Sequence, residues 1–362
     1  MRSKPHYLSL DGLRGIAALI VVSYHVFEAF ATSHADQIVN HGYLAVDFFF
    51  ILSGFVMGYA YDERWAQGMT AKAFFKRRLI RLHPMVIAGA VIGVAGYVMT
   101  GCKMWDGTTQ TILPVLLSFM LTILMIPSPS GVDLRGYRES FPLNGPQWSL
   151  FFEYIGNILY ALVLRRLSTK ALGVVSAIGA IALAGFAFFG ENGDVNAGFS
   201  VYGLEFPGGL SRLIYAYPMG LLMARLFRER TVKSSSGAFW ISAIVLLILL
   251  PMPRIPGCLN AVYEMLILLL VFPLIVWKNA GSLVEGAREK RIMKTLGDMS
   301  YPLYMVHYPL IYIYYGWVQR NGLTFGETLP QVAMVVGGSL LLAWVCMKFY
   351  DKPIRVRLNN KI

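Results

Sequence analysis

The stretch Gly12-Leu-Arg14-Gly-Ile-Ala-Ala-Leu-Ile-Val-Val-Ser-Tyr-His25-Val-Phe-Glu28-Ala-Phe30 is long and apolar enough to cross a bilayer. It nevertheless carries Arg14 and His25, with ten residues between them. Eleven helical steps of about 100° return to nearly the same face, displaced by roughly 16 Å along the axis. Ionisable groups at bilayer depth are costly and normally face a cavity or a partner, so this first span is expected to carry function. A blander account has Arg14 snorkelling to the interface beside a His25 satisfied by a neighbouring helix. The rest of the chain weakens it.

Hydrophobic residues make up 56% of the 362 and charged ones only 14%. Soluble chains carry about a quarter charged residues, so this balance predicts an all-α polytopic membrane bundle. The formal charge of +12 falls in short clusters between apolar runs, the pattern of positive cytoplasmic loops. No zinc-finger spacing or other nucleic-acid signature accompanies it, so no nucleic-acid partner is expected. Cys102, Cys258 and Cys346 are odd in number and widely spaced, and predict neither a disulfide framework nor a metal site. The N-terminus has the outline of a signal peptide, but Arg14, His25 and Glu28 interrupt its core and an uncleaved span is expected.

Apolar runs lie near 12–30, 42–61, 84–100, 111–127, 148–164, 171–190, 207–227, 237–252, 258–277, 300–318 and 329–347. Basic clusters precede the first (Arg2, Lys4) and follow the second (Arg64, Lys72, Lys76, Arg77, Arg78, Arg81). Others comprise Arg165, Arg166 and Lys170; Arg225, Arg228, Arg230 and Lys233; Arg288, Lys290, Arg291 and Lys294; and Lys348 to Lys361. Connection 191–206 holds Glu191, Asp194 and Glu205 but neither Lys nor Arg. Every cluster lies on the cytoplasmic side only if 84–147 makes one net crossing. Segment 111–127, with Pro114 and the exit Pro127-Ser-Pro129, is then re-entrant or interfacial. The architecture becomes about ten spans with both termini cytoplasmic. In the competing topology 111–127 crosses and the Arg165–Arg166 pair lies outside.

Arg78 and Arg81 stand one helical turn apart, and two guanidinium forks on one face suit a phosphate; the alternative is a topology anchor on anionic headgroups. His25 and Asp47 each lie about five residues from one end of their spans, and Glu153 lies similarly within the span that begins at Trp148. At about 1.5 Å per residue all three sit at a common depth of roughly 7–10 Å. A histidine beside carboxylates is the arrangement of a general base whose tautomer a partner sets; separate pairing of each residue with Ser, Tyr or backbone is the alternative. Glu264 is expected near the same layer and Arg212 just above it. Arg14 and Tyr301 are expected toward the cytoplasmic side, with His307 nearer the middle.

These residues also carry a family resemblance. Leu10-Asp-Gly-Leu-Arg14-Gly-Ile-Ala-Ala followed by His25 resembles the acyltransferase-3 family of integral membrane O-acyltransferases, whose hallmark is Arg or Lys, ten residues, then His. Val46-Asp47-Phe-Phe-Phe-Ile-Leu-Ser53-Gly54-Phe55 is similar to its second helix, and Phe75, Arg78, Arg81 and Pro84 to its RxxR segment. Trp148-Ser149-Leu150 with Glu153 resembles the family's WSLxxE signature. Ser300-Tyr301-Pro-Leu-Tyr-Met-Val-His307 resembles its SYxLYxxH pattern, and Asp351-Lys-Pro353 stands where Glu-x-Pro is frequent. Departures are Ala45 for Gly, Phe151-Phe152 ahead of Glu153, and Asp351 for Glu.

The resemblance implies one transmembrane acyltransferase domain over 1–362, without the appended hydrolase-like domain of some members. It implies an acyl-CoA donor, most often acetyl-CoA, as substrate rather than as a resident cofactor, and a carbohydrate or lipid-linked glycan hydroxyl as acceptor, in a bacterial cytoplasmic (inner) membrane. His25 is then the expected base or acyl-relaying nucleophile, oriented by Asp47 or Glu153. Arg78 and Arg81 are expected on the donor's phosphates, with Arg14 along its pantetheine arm and Tyr301 and His307 beside it. Trp148, Arg212 and Glu264 are expected at the acceptor. Composition alone equally fits a transporter or flippase with an intramembrane His/carboxylate proton relay. Missing repeat symmetry and the WSLxxE and RxxR stretches count against that, and a non-catalytic export subunit makes no demand for His25. The topology is testable: a cysteine at position 192 is expected to react with an impermeant thiol reagent in intact cells, and one at position 233 only after lysis. The reverse pattern overturns the orientation.

Overall fold

In the computed structural model, residues 7–190, 192–227, 233–234 and 237–360 are described. Arg2, Lys4, Glu191, Arg228, Arg230 and Lys361 of the charge pattern lie outside them. The described chain is helical: α1 Leu8–Phe27, α2 Ala45–Ala66, α3 Ala71–Met99, α4 Ile112–Leu124, α5 Gln147–Leu162, α6 Thr169–Phe189 and α7 Glu205–Phe227 come first. There follow α8 Gly237–Leu249, α9 Leu259–Leu266, α10 Phe272–Ala280, α11 Ala287–Asn321, α12 Leu329–Val345 and α13 Lys352–Asn359. A π-helical turn, Ile267–Val271, joins α9 to α10, and another, Cys346–Asp351, joins α12 to α13. Extended pairing among the described residues is confined to a two-residue parallel contact of Lys233–Ser234 with Ser282–Leu283 and a single antiparallel bridge between Lys103 and Thr109.

Among the described residues six helical segments are long and apolar enough to cross a membrane: Leu8–Phe30, His41–Ala66, Ala71–Met99, Thr169–Phe189, Leu259–Ala280 and Gly326–Asn359. Burial ranks them, because 72% of the second segment's apolar window is inside the protein against 17% of the last, so α2 is central and α12–α13 peripheral. The segment expected not to cross fully, 111–127, is a 13-residue helix. It ends on Met125 in the left-handed region (φ 57°). At 1.5 Å per residue it reaches about 20 Å, short of a hydrocarbon core of about 30 Å. α8, from the run near 237–252, also has 13 residues.

Without a hydrophobic drive between helices in lipid, close approach depends on small residues. α2 packs most extensively on α7, and α1 on α11. The α2–α7 crossing is glycine on glycine: a Cβ at Gly54 would overlap the Tyr217 carbonyl oxygen, and one at Gly220 the Ile51 carbonyl oxygen. At α1–α11, a Cβ on Gly15 would lie 2.5 Å from the Leu296 carbonyl oxygen.

α11 holds Pro302 and Pro309 in its interior. Proline at 309 removes the N–H that would serve the carbonyl four residues earlier, at Met305. Asn144 supplies the missing donor from its Nδ2, 2.9 Å from the Met305 oxygen. Helix α3 comes close enough for this arrangement at Gly89, where a Cβ would lie 2.7 Å from that oxygen and 2.8 Å from the Asn144 amide nitrogen.

Gly220→Ala is expected to cost about 1–3 kcal/mol, the usual penalty of overpacking, read as a lower thermal midpoint in detergent. Gly337, which has nothing within 4 Å of its Cβ direction, is the control, and Gly337→Ala is expected to leave the midpoint in place. Equal midpoints for the two variants would remove this account of the crossing.

Candidate active site

Two cavities lie end to end along α1. The first, about 140 Å³, is lined by Arg14 of α1, Ser53 of α2, Arg78 and Arg81 of α3, Glu153 of α5 and Tyr301 of α11, among others. The second, about 420 Å³, is lined by His25 and Glu28, by Trp148 of α5, by Tyr304, Tyr308 and Tyr312 of α11, and by Glu139 of the loop before α5. Val46 and Tyr304 line both, so they form the partition. Tyr304 is held there by hydrogen bonding of its hydroxyl with Ser149 Oγ (2.6 Å) and by donation to the Pro146 carbonyl (3.2 Å).

The arginines of the first cavity differ in what engages them. Arg14 donates from Nε to Ser300 Oγ (2.9 Å) and from Nη2 to the Gly297 carbonyl (3.2 Å), and lies 3.2 Å from Asp11. Arg78 is buried, donating to Asn157 Oδ1 (3.1 Å) and to Glu153 Oε1 (2.9 Å), which also accepts from Ser53 Oγ (2.7 Å). Arg81 has no carboxylate within salt-bridge distance among the described residues and lies 5.8 Å over the Tyr301 ring. Tyr301 is fixed by donation to the Leu82 carbonyl (2.6 Å). The one-turn spacing of Arg78 and Arg81 thus puts both on the cavity wall, with one fork committed to protein partners and the other open.

In the second cavity, His25 Nδ1 lies 3.0 Å from Glu28 Oε2, a charge contact not aligned as a hydrogen bond. Glu28 Oε2 also accepts from Tyr308 (3.1 Å). The His25 ring sits against Tyr308 and His307, centroids 4.5 and 5.3 Å away. His307 is buried; its Nδ1 lies 3.0 Å from both the Leu303 and Tyr304 carbonyls, which assigns the proton to Nδ1 and leaves Nε2 as a buried acceptor. Glu139 accepts from Tyr312; burial pushes its carboxyl up to about 7, against the lowering influence of Arg135.

Equal depth does not bring the expected carboxylates to His25. Glu153 is in the arginine cavity, holding Arg78. Asp47 is fully buried and takes a two-pronged pairing from Arg212, Nε to Oδ1 at 3.0 Å and Nη2 to Oδ2 at 2.7 Å. Arg212 also donates to the Ala197 and Tyr43 carbonyls and lies 5.2 Å behind the Trp148 ring. Glu264 is buried too, accepting from Tyr43, from Asn260 (2.6 Å) and from the Val195 amide (2.8 Å). Arg212 and Glu264 therefore stand behind the aromatic wall, Trp148 is on it, and His307 backs His25 instead of lining the arginine cavity. The carboxylate beside His25 is Glu28, which the i, i+3 spacing His25-x-x-Glu28 offers to a reader of the sequence.

Comparison with known proteins identifies the family of the chain. Residues 7–348 match the profile of the acyltransferase-3 family, described as an acyltransferase domain. "Acyltransferase MdmB" of Streptomyces mycarofaciens is 26% identical, over 92% of this chain and 89% of its own length. "Protein 2 in picA locus" of Rhizobium radiobacter is 35% identical, over 49% of this chain and 92% of its own length. "Peptidoglycan O-acetyltransferase OatA" of Listeria monocytogenes is 33% identical over 25% of this chain and 14% of its own length. No solved structure matches the chain. With the family profile covering nearly all of it and the motif residues gathered around two adjoining cavities, the chain belongs to the acyltransferase-3 family of membrane O-acyltransferases.

Proposed function

We propose that this protein moves an acyl group, most often acetyl, from acyl-CoA in the arginine cavity to a hydroxyl of a cell-surface or lipid-linked glycan in the histidine cavity. The observation that carries this reading is the partition: one wall, Val46 and Tyr304, divides a cationic chamber from one holding a histidine and a carboxylate. A transferase with its donor on one side of a membrane and its acceptor on the other needs such a junction. The name of the Listeria relative supplies the precedent for acetyl and for a glycan. The reading places about ten spans in a bacterial inner membrane, both termini in the cytoplasm and the arginine cavity facing it.

In this mechanism Arg81, whose fork is open, takes a donor phosphate, and Arg78 is a positioning residue locked to Glu153 and Asn157. Glu28 beside Nδ1 favours the tautomer with its proton there and steadies the imidazolium that forms, so Nε2 is the base. Nε2 takes the proton of the acceptor hydroxyl while its oxygen attacks the thioester carbonyl. The new C–O ester bond forms, the C–S bond breaks, and the proton passes from His25 to the departing thiolate.

Purified protein incubated with radiolabelled acetyl-CoA and glycan acceptors tests the reading, which a lack of label transfer across an acceptor panel would sink. His25→Gln is expected to lower turnover by about 10²- to 10⁴-fold with folding intact. Glu28→Gln is expected to lower kcat on the order of tenfold or more while leaving the donor KM in place, as loss of the base's orienter should. Retention of more than about a tenth of wild-type turnover in His25→Gln assigns this histidine a structural role.

The two arginines separate by a different measurement. Arg81→Lys is expected to raise the acyl-CoA KM by about tenfold, because a point charge replaces a planar fork, with kcat nearly kept. Arg78→Lys is expected to lower the thermal midpoint first, since it unmakes bonds to Glu153 and Asn157. A normal donor KM in Arg81→Lys removes the phosphate role.

A further inference from the structure

The two chambers have opposite electrostatic character. Three arginines face the first. Among the described residues the wall of the second holds Glu28, Glu139, His25 and His34 as its acidic and imidazole groups and neither Lys nor Arg. His34 is already committed to Asp194, at 2.9 Å. Two guanidinium groups packed against rings of this wall, those of Arg212 and Arg135, do not line the cavity. Arg212 is covered by Trp148 and forked onto Asp47. Arg135 is covered by Tyr312, its Cζ 3.4 Å from the ring centroid, and its Nε donates to the Pro142 carbonyl at 2.7 Å. The remaining surface is dominated by aromatic rings, Trp105 and Tyr315 at one end and Tyr24 and Tyr43 at the other. An anion entering this chamber meets two carboxyl groups and no cation to offset its lost hydration. A ring with apolar C–H faces and neutral hydroxyls meets flat aromatic surface and hydrogen-bonding rims.

We infer that the histidine chamber accepts a polyol, a sugar ring being the simplest fit, with no negative charge near its reacting hydroxyl, and that Glu139 is the specificity-determining carboxyl that turns anionic acceptors away. The inference rests on the assignment of this chamber to the acceptor. The same charge pattern keeps the polyanionic head of the donor on its own side of Tyr304 while the neutral arm and acyl group reach across.

Binding measured without donor tests this separately from the transfer reaction. The full-length protein in detergent at about pH 8 is titrated by saturation-transfer NMR with methyl glycosides of gluco, galacto and manno configuration, each as the neutral sugar and as its uronic acid. At least one neutral glycoside is expected to bind, and its uronate about tenfold or more weaker. Glu139→Gln is expected to bring that ratio to within about threefold while changing the neutral sugar's affinity by less than about threefold. Equal affinity of the neutral and uronate forms for wild-type protein overturns the proposal, and that comparison needs no variant to fold. Binding of none of the neutral sugars overturns the sugar class, and an unchanged ratio in a folded Glu139→Gln protein overturns the role of Glu139. Each of these results leaves label transfer from acetyl-CoA as a separate measurement.

Discussion

The pairing of Arg212 with Asp47 is the constraint on which the site depends. Both side chains are fully buried, and a guanidinium at that depth persists only if its donors are satisfied. Of its five N–H groups Asp47 takes two and the Tyr43 and Ala197 carbonyls one each. One side chain thereby fixes α7 to α2, to the turn before α2 and to the loop before α7. The pair sits directly behind Trp148, so the aromatic wall of the histidine chamber is registered against it. Removing one partner of such a pair typically costs 3–5 kcal/mol, since it strands the other charge. Its role is to place the wall; on the proposed function, the chemistry takes place in front of it.

The partition has its own logic. Tyr304 is a long, planar side chain anchored through Ser149 at its tip, with Phe49 against its ring at 5.6 Å. Two chambers of opposite charge preference thus meet at a neutral, mostly apolar contact. A thioester and its acyl group are neutral and fit such a junction, whereas phosphates do not. On the proposed function, selectivity for what passes would come from what each chamber repels as well as from what it binds.

Much of this was legible in the residues. The spacing of Arg14 and His25 places them along one helix face, and both line cavities, because an 11-step interval is nearly three full turns. The Arg78–Arg81 spacing put both side chains on one wall for the same reason. The short reach of 111–127 followed from Pro114 and from the charge pattern. The carboxylate partners did not follow. Counting residues from a membrane surface gives height within the bundle but not the direction a side chain faces. Asp47, Glu153 and His25 share a depth estimate yet point into three different environments. Glu28 was within reach of the sequence, one turn from His25 on the same helix, where height and direction are both fixed. Glu139 was not, since its position depends on the fold of the loop between Met125 and Pro146.

The hydrogen bond that Pro309 removes from α11 couples three distant positions into one unit. Pro309 frees the Met305 carbonyl, Asn144 supplies the donor, and Gly89 leaves room for both. Restoring an ordinary residue at 309 would return a backbone N–H to that oxygen and leave the Asn144 amide competing for an acceptor already served. The three positions are therefore expected to drift together over evolutionary time, so that covariation among 89, 144 and 309 would record a helix defect rather than a catalytic requirement. Homologues with an ordinary residue in place of Pro309 would be expected to need neither the asparagine nor the glycine.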